Sequence, residues 1–368
     1  MPIIWNWLVG KPTGFVEQDE KLFKKTSDDF FHFRISLKVC WLVLACALST
    51  SCHGTDYRDP IKAKEAIQAN TTQLERYIED KMHASHVEKV SVAIFSNDQI
   101  IYSHGFNAGE DEQFQAASIS KPVAAYAALR LVEQGKLELD RPLSEYLEKR
   151  YFDNASGGND ITLRMVLNHT SGMSNDVSHD DRKVYRRPGK EFHYSGAAFE
   201  YLKTVIENIV AMPFDEFMKK EVFDPLGMKN SHYLKMRING EPTIFAAGGL
   251  STTPTDLSRF FMELLNPKFI SKSLIDEMLS DSVKLNEHNY WGLGIAIQHG
   301  NGQNIIWHGG INGDQWRSLA YVSLDDGIGM VILAKGKNGY YINPDIVHEA
   351  VGGSSYGLMK NINDTALP

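Results

Sequence analysis

Ser118-Ile119-Ser120-Lys121 is the stretch from which the rest of the sequence is best interpreted. Ser118 is the only serine in the chain with a lysine three positions further on. Residues i and i+3 share one face of a helix, so the Lys121 amine can reach the Ser118 hydroxyl. Pro122 suits a first helical turn, where unpaired N–H groups stabilise a developing oxyanion. The pair predicts a serine nucleophile activated by a lysine; the alternative is a helix-capping serine beside a surface lysine.

Two later segments contain candidate partners for this serine. Tyr194 follows Phe192 and His193, and a phenol held between two cations can act as a base or as a proton relay. Taken alone, a tyrosine in such a segment is more often a core aromatic whose hydroxyl is hydrogen-bonded. The stretch His308-Gly309-Gly310-Ile311 ends a predicted strand, and paired glycines let two backbones approach closely. Taken alone, this stretch would predict only a turn.

Strand patterns lie toward both ends of the chain, and helical patterns lie between them. Two strands are predicted at 90–96 and 99–104, separated by a turn at Asn97-Asp98, and four more are predicted at 292–298, 304–307, 318–322 and 329–334. Helices are predicted at 61–82, 118–134, 140–149, 163–167, 197–210, 214–222, 255–265, 272–279 and 344–351. This order favours an α+β fold, in which one sheet is formed by both chain ends, is flanked by helices and carries an inserted, mostly helical subdomain at about 115–245.

Together the three stretches resemble the motifs of the serine β-lactamase and penicillin-binding family, which are S-x-x-K, Y-x-N and K-T-G or H-x-G. The chain is most similar to the class C β-lactamase-related group, which includes D-Ala carboxypeptidases, D-aminopeptidases and esterases. The resemblance covers about residues 85 to 340. Other segments typical of that group lie at 131–137, 167–172, 225–228, 248–251 and 291–294.

The resemblance implies a serine hydrolase that works through an acyl-enzyme intermediate. The hydrolase domain would span 61–368 and contain a mainly antiparallel sheet of the β-lactamase/transpeptidase type. Ser118 would attack the acyl carbon of an ester, peptide or other amide. Lys121 and Tyr194 would then pass the serine proton to the leaving group.

The resemblance also implies how the substrate would be held. The backbone N–H groups of Ser118 and Ile311 would form the oxyanion hole, and losing one such donor typically costs about 10²–10³ in rate. His308 would lie on the opposite wall of the cleft, toward the leaving group. Gly309 and Gly310 would belong to the strand that binds the substrate.

Two positions depart from the family motifs. Gly196 stands where Y-x-N has its asparagine, so it offers no side-chain amide to a substrate. His308 stands where K-T-G has its lysine, and an imidazole with an ordinary pKa near 6.5 is mostly neutral at pH 7. A β-lactam or a peptide ending in D-Ala presents a carboxylate, which a fixed cation would bind. The two departures therefore favour a broader acyl hydrolase, unless Arg317 supplies the missing charge.

Two functions without turnover fit the same motifs. One is a sensor that binds penicillins or peptidoglycan and stops once acylated. The other is a structural lipoprotein with a vestigial site, which the presence of Ser118, Lys121 and Tyr194 argues against. Turnover of a simple ester distinguishes the sensor from the hydrolase. In either case the expected partner is a small molecule or a peptide, with a cell-wall peptide as one candidate.

The first 52 residues are typical of a bacterial export signal of the lipoprotein type. Basic residues precede an apolar run at 39–48, which at about 1.5 Å per residue is too short to cross a hydrocarbon layer of roughly 30 Å. Small residues then lead to Cys52, the predicted site of lipidation. Residues 53–60 are predicted to form a tether. The expected location is outside the cytoplasm, either periplasmic or anchored to a membrane through Cys52; the alternative is a buried N-terminal helix of a soluble protein.

Composition excludes several other classes of protein. A net charge of −8 without a long basic run argues against nucleic acid as a partner. All three cysteines lie between residues 40 and 52, so the hydrolase domain has neither a disulfide framework nor a cysteine nucleophile. The histidines form no H-E-x-x-H, and no dinucleotide or phosphate-binding fingerprint occurs. We therefore expect neither a metal nor a cofactor.

Overall fold

A large antiparallel sheet brings the two ends of the described chain together in the computed structural model. The structure describes residues 57–152, 157–176, 182–238, 241–300 and 302–352. The predicted export signal, Cys52 and the first half of the predicted tether lie outside these ranges, so those three assignments stay predictions. Within the described ranges no helix has both the length and the apolar character needed to cross a membrane.

In the described part of the chain, the strands form one sheet of eight strands and two small sheets. The strands are β1 (Lys89–Ser96), β2 (Gln99–Phe106), β3 (Phe114–Gln115), β4 (His232–Tyr233), β5 (Lys235–Ile238), β6 (Glu241–Ile244), β7 (Leu250–Thr252), β8 (Val283–Lys284), β9 (Asn289–Trp291), β10 (Ala296–Gly300), β11 (Gln303–Asn312), β12 (Trp316–Ser323) and β13 (Ile328–Lys335). The large sheet has the order β2-β1-β13-β12-β11-β10-β9-β8, while β3-β7-β4 and β5-β6 form the small ones.

The helices lie before, between and after these strands. They are α1 (Pro60–Ser85), α2 (Ser120–Glu133), α3 (Leu163–Leu167), α4 (Ala197–Val210), α5 (Phe214–Met218), α6 (Asp224–Leu226), α7 (Pro254–Leu265), α8 (Lys272–Met278) and α9 (Gly339–Val351). Helices α2 to α8 lie between β2 and β8, together with the two small sheets. The predicted α+β class, with helices flanking a sheet built from both ends of the chain, is confirmed.

The pairing of β1 with β13 joins the two ends of the sequence. Its register runs from Lys89 opposite Lys335 to Ser96 opposite Ile328. Strand β1 is buried over nearly its whole length because helices cover both faces of the sheet. Val92 and Ile94 belong to the core shared with α1 and α9, whereas Phe95 belongs to the core that contains α2 and α7.

The prediction of a helix at 140–149 is wrong. The structure has only a 3₁₀ turn at Leu143–Tyr146. The Leu143 N–H donates to the Ile161 carbonyl at 2.8 Å, and Asp140 pairs with Arg164 at 2.7 Å. These contacts with a later loop satisfy groups that helix hydrogen bonds would otherwise use, so tertiary packing overrides the local pattern.

Candidate active site

The turn that carries Ser118 has an unusual backbone conformation. Ala117 has φ +48°, which lies in the left-handed region and costs a residue with a Cβ about 1–2 kcal/mol. Both neighbouring sheets stabilise this turn: the Ala116 N–H donates to the Leu250 carbonyl at 2.8 Å, and the Ser318 hydroxyl donates to the Ala116 carbonyl at 2.7 Å. The turn leads through a 3₁₀ segment at Ala117–Ile119 into α2. Ser118 therefore precedes a helix, as the sequence predicted.

Ser120 has a structural role that the motif analysis missed. Its side chain is fully buried. Its hydroxyl donates to the Ala117 carbonyl at 2.6 Å and accepts from the Leu250 N–H at 3.1 Å. Ser120 thus joins the nucleophile turn to β7. The sequence offered only a weak signal, a second serine two positions after Ser118.

Lys121 is buried next to the Ser118 hydroxyl. Its side chain is only 3% exposed, and its Nζ lies 3.1 Å from Ser118 Oγ and 2.9 Å from the Ala247 carbonyl oxygen. Burial lowers the pKa of Lys121 to about 7, although the charge of Glu200 opposes this shift. A large fraction of the amine is therefore neutral near pH 7 and able to accept the proton of Ser118.

Tyr194 lies on the other side of this pair. The Lys121 Nζ is 4.7 Å from the centre of the Tyr194 ring, and the Tyr194 hydroxyl interacts with Ser118. Burial raises the pKa of Tyr194 above its usual value near 10. The phenol therefore stays protonated near pH 7, which favours a proton relay over a phenolate base.

His308 lies on the face of β11 that is turned toward the nucleophile turn. His308 and Gly310 share that face because their partners on β12 are Ala320 and Ser318. His308 is buried, and its Nδ1 donates to the Gly309 carbonyl at 2.8 Å, so Nε2 is the unprotonated nitrogen. Burial and the Lys121 charge lower the pKa of His308 to about 3. The imidazole is neutral, and its Nε2 has no partner in the described part of the chain.

Gly310 is the point where β11 meets the nucleophile turn. A Cβ at this position would lie 2.6 Å from the Ala116 carbonyl oxygen and closer still to the Ser318 hydroxyl. The close backbone approach predicted from the paired glycines therefore occurs at Gly310. It places the strand directly beside the turn that presents Ser118.

Replacing Gly310 by alanine is expected to lower kcat/KM for ester hydrolysis by about 10–10²-fold, because the new methyl group pushes β11 away from the turn. Ester kinetics measure this loss, and circular dichroism checks the fold. Gly300→Ala is the matched control, since a Cβ on Gly300 of β10 meets nothing within 4 Å. Equal activity of the two variants would contradict the role given to the close approach.

Arg317 does not supply the cation that His308 lacks. It pairs with Ile311 across β11 and β12, on the face opposite His308. Its guanidinium donates to three backbone carbonyls, those of Gly313, Trp316 and Lys337. The Ile311 side chain, also on that face, is 46% exposed. The use of the Ile311 N–H in an oxyanion hole stays a prediction.

Two further residues contact the Tyr194 segment, and spacing along the chain could not reveal either contact. Asn175 accepts the Gly196 N–H at 3.0 Å, so a side-chain amide does lie beside the glycine that replaces the motif asparagine. His169 accepts the Ser195 N–H at 3.1 Å on Nδ1, and its ring lies 4.2 Å from the Tyr194 ring. The segment 167–172 thus orders the residues around Tyr194.

Comparison with known proteins agrees with this architecture. A family model described as Beta-lactamase matches residues 74–341. The chain belongs to the beta-lactamase family. The predicted resemblance to the β-lactamase family is confirmed.

Several known proteins are similar to the chain. Protein flp of Staphylococcus aureus strain MW2 is 21% identical over an alignment of 334 residues, and the match covers 75% of this chain and 66% of that protein. The chain therefore spans just under two thirds of this relative. The octameric penicillin-binding protein homologue from Pyrococcus abyssi superimposes with a TM-score of 0.64 at 21% identity, covering 81% of this chain and 79% of that one. EstCE1, a hydrolase with promiscuous acyltransferase activity, superimposes with a TM-score of 0.67 at 18% identity, covering 78% of this chain and 100% of that one. These two structures share the fold.

Proposed function

We propose that this beta-lactamase family member is a serine hydrolase that forms an acyl-enzyme on Ser118. The observation that carries the proposal is the position of the Lys121 amine, 3.1 Å from the Ser118 hydroxyl in a buried setting that lowers its pKa to about 7. A desolvated amine of this kind can accept a serine proton near neutral pH.

The proposed reaction has two stages. In the first, the Ser118 Oγ forms a bond to the acyl carbon while its proton passes to the Lys121 amine. The bond from the acyl carbon to the leaving group then breaks, and Tyr194 relays the proton from Lys121 to that group. In the second stage, water attacks the acyl carbon while Lys121 again accepts a proton. The bond from the acyl carbon to Ser118 Oγ then breaks, Oγ regains its proton from Lys121, and the carboxylic acid leaves.

The proposed substrates are esters or amides that carry no carboxylate beside the reacting bond. His308 is neutral, and Arg317 lies on the opposite face of the sheet. Neither residue offers the fixed cation that a β-lactam or D-Ala carboxylate would need. The fold shared with EstCE1, a hydrolase with promiscuous acyltransferase activity, supports a broad acyl specificity.

Ester turnover tests this proposal against the sensor alternative. With excess nitrophenyl acetate, the hydrolase should release nitrophenol for many turnovers, and mass spectrometry of quenched samples should find the acyl group on the peptide that contains Ser118. Release that stops after one equivalent would identify the acylating sensor instead. The same assay with nitrocefin and a D-Ala peptide should give much lower kcat/KM.

The pH dependence of acylation follows from the pKa of Lys121. A base acts when deprotonated, so kcat/KM should rise about tenfold per pH unit below about pH 7 and level off above it. This rise of kcat/KM below about pH 7 is the acidic limb of the pH profile. His308 should not contribute to the acidic limb, because its pKa of about 3 leaves it neutral over that pH range. A rate that falls as pH rises from 6 to 8 would contradict Lys121 as the base.

A further inference from the structure

Glu200 is a buried acid close to the active site. It lies in the first turn of α4, six residues after Tyr194, and its side chain is 13% exposed. Its carboxylate accepts the Ala247 N–H at 3.0 Å. The carbonyl of that same residue, Ala247, accepts from the Lys121 amine at 2.9 Å. One residue of the loop before β7 therefore connects Glu200 with Lys121.

Lys203 completes the attachment of this loop to α4. Its Nζ lies 3.0 Å from a Glu200 carboxylate oxygen and donates to the Ile244 carbonyl at 2.8 Å. Residues 244–247 are thus held to α4 at both ends. Glu200 and Lys203 can both be buried on α4 because their charged groups pair with each other.

We propose that Glu200 is a positioning residue for Lys121: it holds the Ala247 peptide against the amine, and its negative charge offsets the burial of that amine. This inference rests on the proposed function of Lys121 as the base in acylation. It assigns Glu200 no contact with the substrate. Its effect reaches the reaction through the geometry and basicity of Lys121.

The charges around the two residues agree with this role. Burial lowers the pKa of Lys121, and the opposing charge is that of Glu200. The other titratable groups that face Lys121 are Tyr194, His169 and His308, all of which are neutral near pH 7 because burial shifts their pKa values away from the charged form.

Glu200 itself is flanked by basic and neutral groups. Burial raises the pKa of Glu200 above its usual value, although Lys203, the Ala247 N–H and Lys121 oppose this rise. Tyr233 is the remaining titratable group that interacts with it, and burial together with the Glu200 charge keeps that phenol protonated. The carboxylate is thus the compensating negative charge beside two lysines.

A base that loses proton affinity also loses catalytic strength. Without a negative charge at position 200, Lys121 would release its proton at lower pH and accept the Ser118 proton less readily. The pH profile of acylation therefore separates an electrostatic role of Glu200 from a merely structural one.

The test is the pH dependence of nitrophenyl acetate hydrolysis by Glu200→Gln. Glutamine keeps the size of the side chain and an oxygen that can accept the Ala247 N–H. We expect the acidic limb of kcat/KM to move to lower pH by about one unit, with less than a tenfold loss on the alkaline plateau. An unmoved limb would overturn the inference, whether or not the rate falls at every pH.

Glu207→Gln is the matched control. Glu207 lies on the same helix and accepts the Phe214 N–H at 3.0 Å, so the substitution removes the same charge from a similar contact farther along α4. Its limb should stay at the wild-type position. A shift equal to that of Glu200→Gln would show a general effect of net charge and would also overturn the inference.

A second variant addresses folding. Glu200→Gln leaves the buried Lys203 ammonium with the Ile244 carbonyl but without a charged partner, which can destabilise α4. Glu200→Gln with Lys203→Met removes both charges. Because the charge that acts on Lys121 is that of Glu200, this double variant should keep the acidic shift of the limb. If the acidic limb of kcat/KM of the double variant lies at the same pH as that of the wild type, the inference is contradicted.

The outcomes also separate this inference from the proposed function. If wild-type protein acquires no acyl group on Ser118, the hydrolase proposal itself fails. If Ser118 is acylated and the limb does not move in Glu200→Gln, only the role of Glu200 fails.

Discussion

Ser118→Ala should abolish covalent labelling by a fluorophosphonate and lower ester hydrolysis by about 10⁴–10⁶-fold. Alanine has no oxygen to form the acyl-enzyme, and the turn that presents the residue is held by neighbours rather than by its hydroxyl. Ala116 and Ser120 make the contacts to β7, and Ser318 makes the contact from β12. The variant should therefore fold normally while losing its nucleophile.

Gel fluorescence and mass spectrometry of the labelled peptide measure this result. Ser103→Ala is the control, since Ser103 is an exposed serine on β2 and its loss should leave labelling at the wild-type level. Full labelling of the Ser118 variant would place the nucleophile elsewhere and remove the basis of the proposed function.

Lys121→Met should lower ester hydrolysis by about 10²–10⁴-fold, the usual contribution of a general base. Methionine fills a similar volume but cannot take the proton of Ser118. Slow residual labelling at high pH is expected, because hydroxide can partly replace the missing base. A variant with near wild-type kcat/KM at pH 7 would show that Lys121 is not the activating group.

The same substitution should make the protein more stable at pH 6. An unfolded lysine has a pKa near 10.5, whereas the buried Lys121 has one of about 7, so below pH 7 the fold holds a buried charge. Between about pH 7 and 10.5 the unfolded state binds more protons, and the free energy of unfolding of the wild type rises with pH. Methionine removes the cost of burying a charge but leaves the Ala247 carbonyl without its donor. The free energy of unfolding should therefore rise by about 1–3 kcal/mol at pH 6.

Thermal unfolding between pH 6 and 10 measures this effect. The difference in stability between Lys121→Met and wild type should shrink as pH rises through that range. Lys149→Met, which changes an exposed lysine, should show no such pH-dependent difference. A Lys121 variant that is less stable than wild type at pH 6 would mean that the amine is not penalised by burial.

Local sequence patterns predicted the parts of the molecule that depend on neighbouring residues. The offset between Ser118 and Lys121 places them on one helical face, and they are within hydrogen-bond distance in the structure. Helix α4 begins and ends where its apolar spacing predicted, and β1 and β2 flank the predicted turn at Asn97-Asp98. These features need no information about the rest of the chain.

Contacts between distant segments could not be predicted in the same way. The strand predicted at 304–307 continues to Asn312 because β12 pairs with it over that length. Asn175 beside Gly196 and Glu200 beside Ala247 are each brought together by folding of the intervening chain. The side of the sheet on which Arg317 lies depends on strand register, which spacing from the motifs does not give.

The pairing of β1 with β13 also constrains how this chain is made. Lys89 and Lys335 are opposite each other although nearly the whole domain separates them in sequence. At a synthesis rate of 5–20 residues per second, roughly 12–50 s pass between the emergence of the first strand and that of its partner. The large sheet therefore assembles late, through contacts that are distant along the chain and slow to form. A nascent chain cut short before Ile328 would leave β1 and β12 with open edges, which are sites of aggregation.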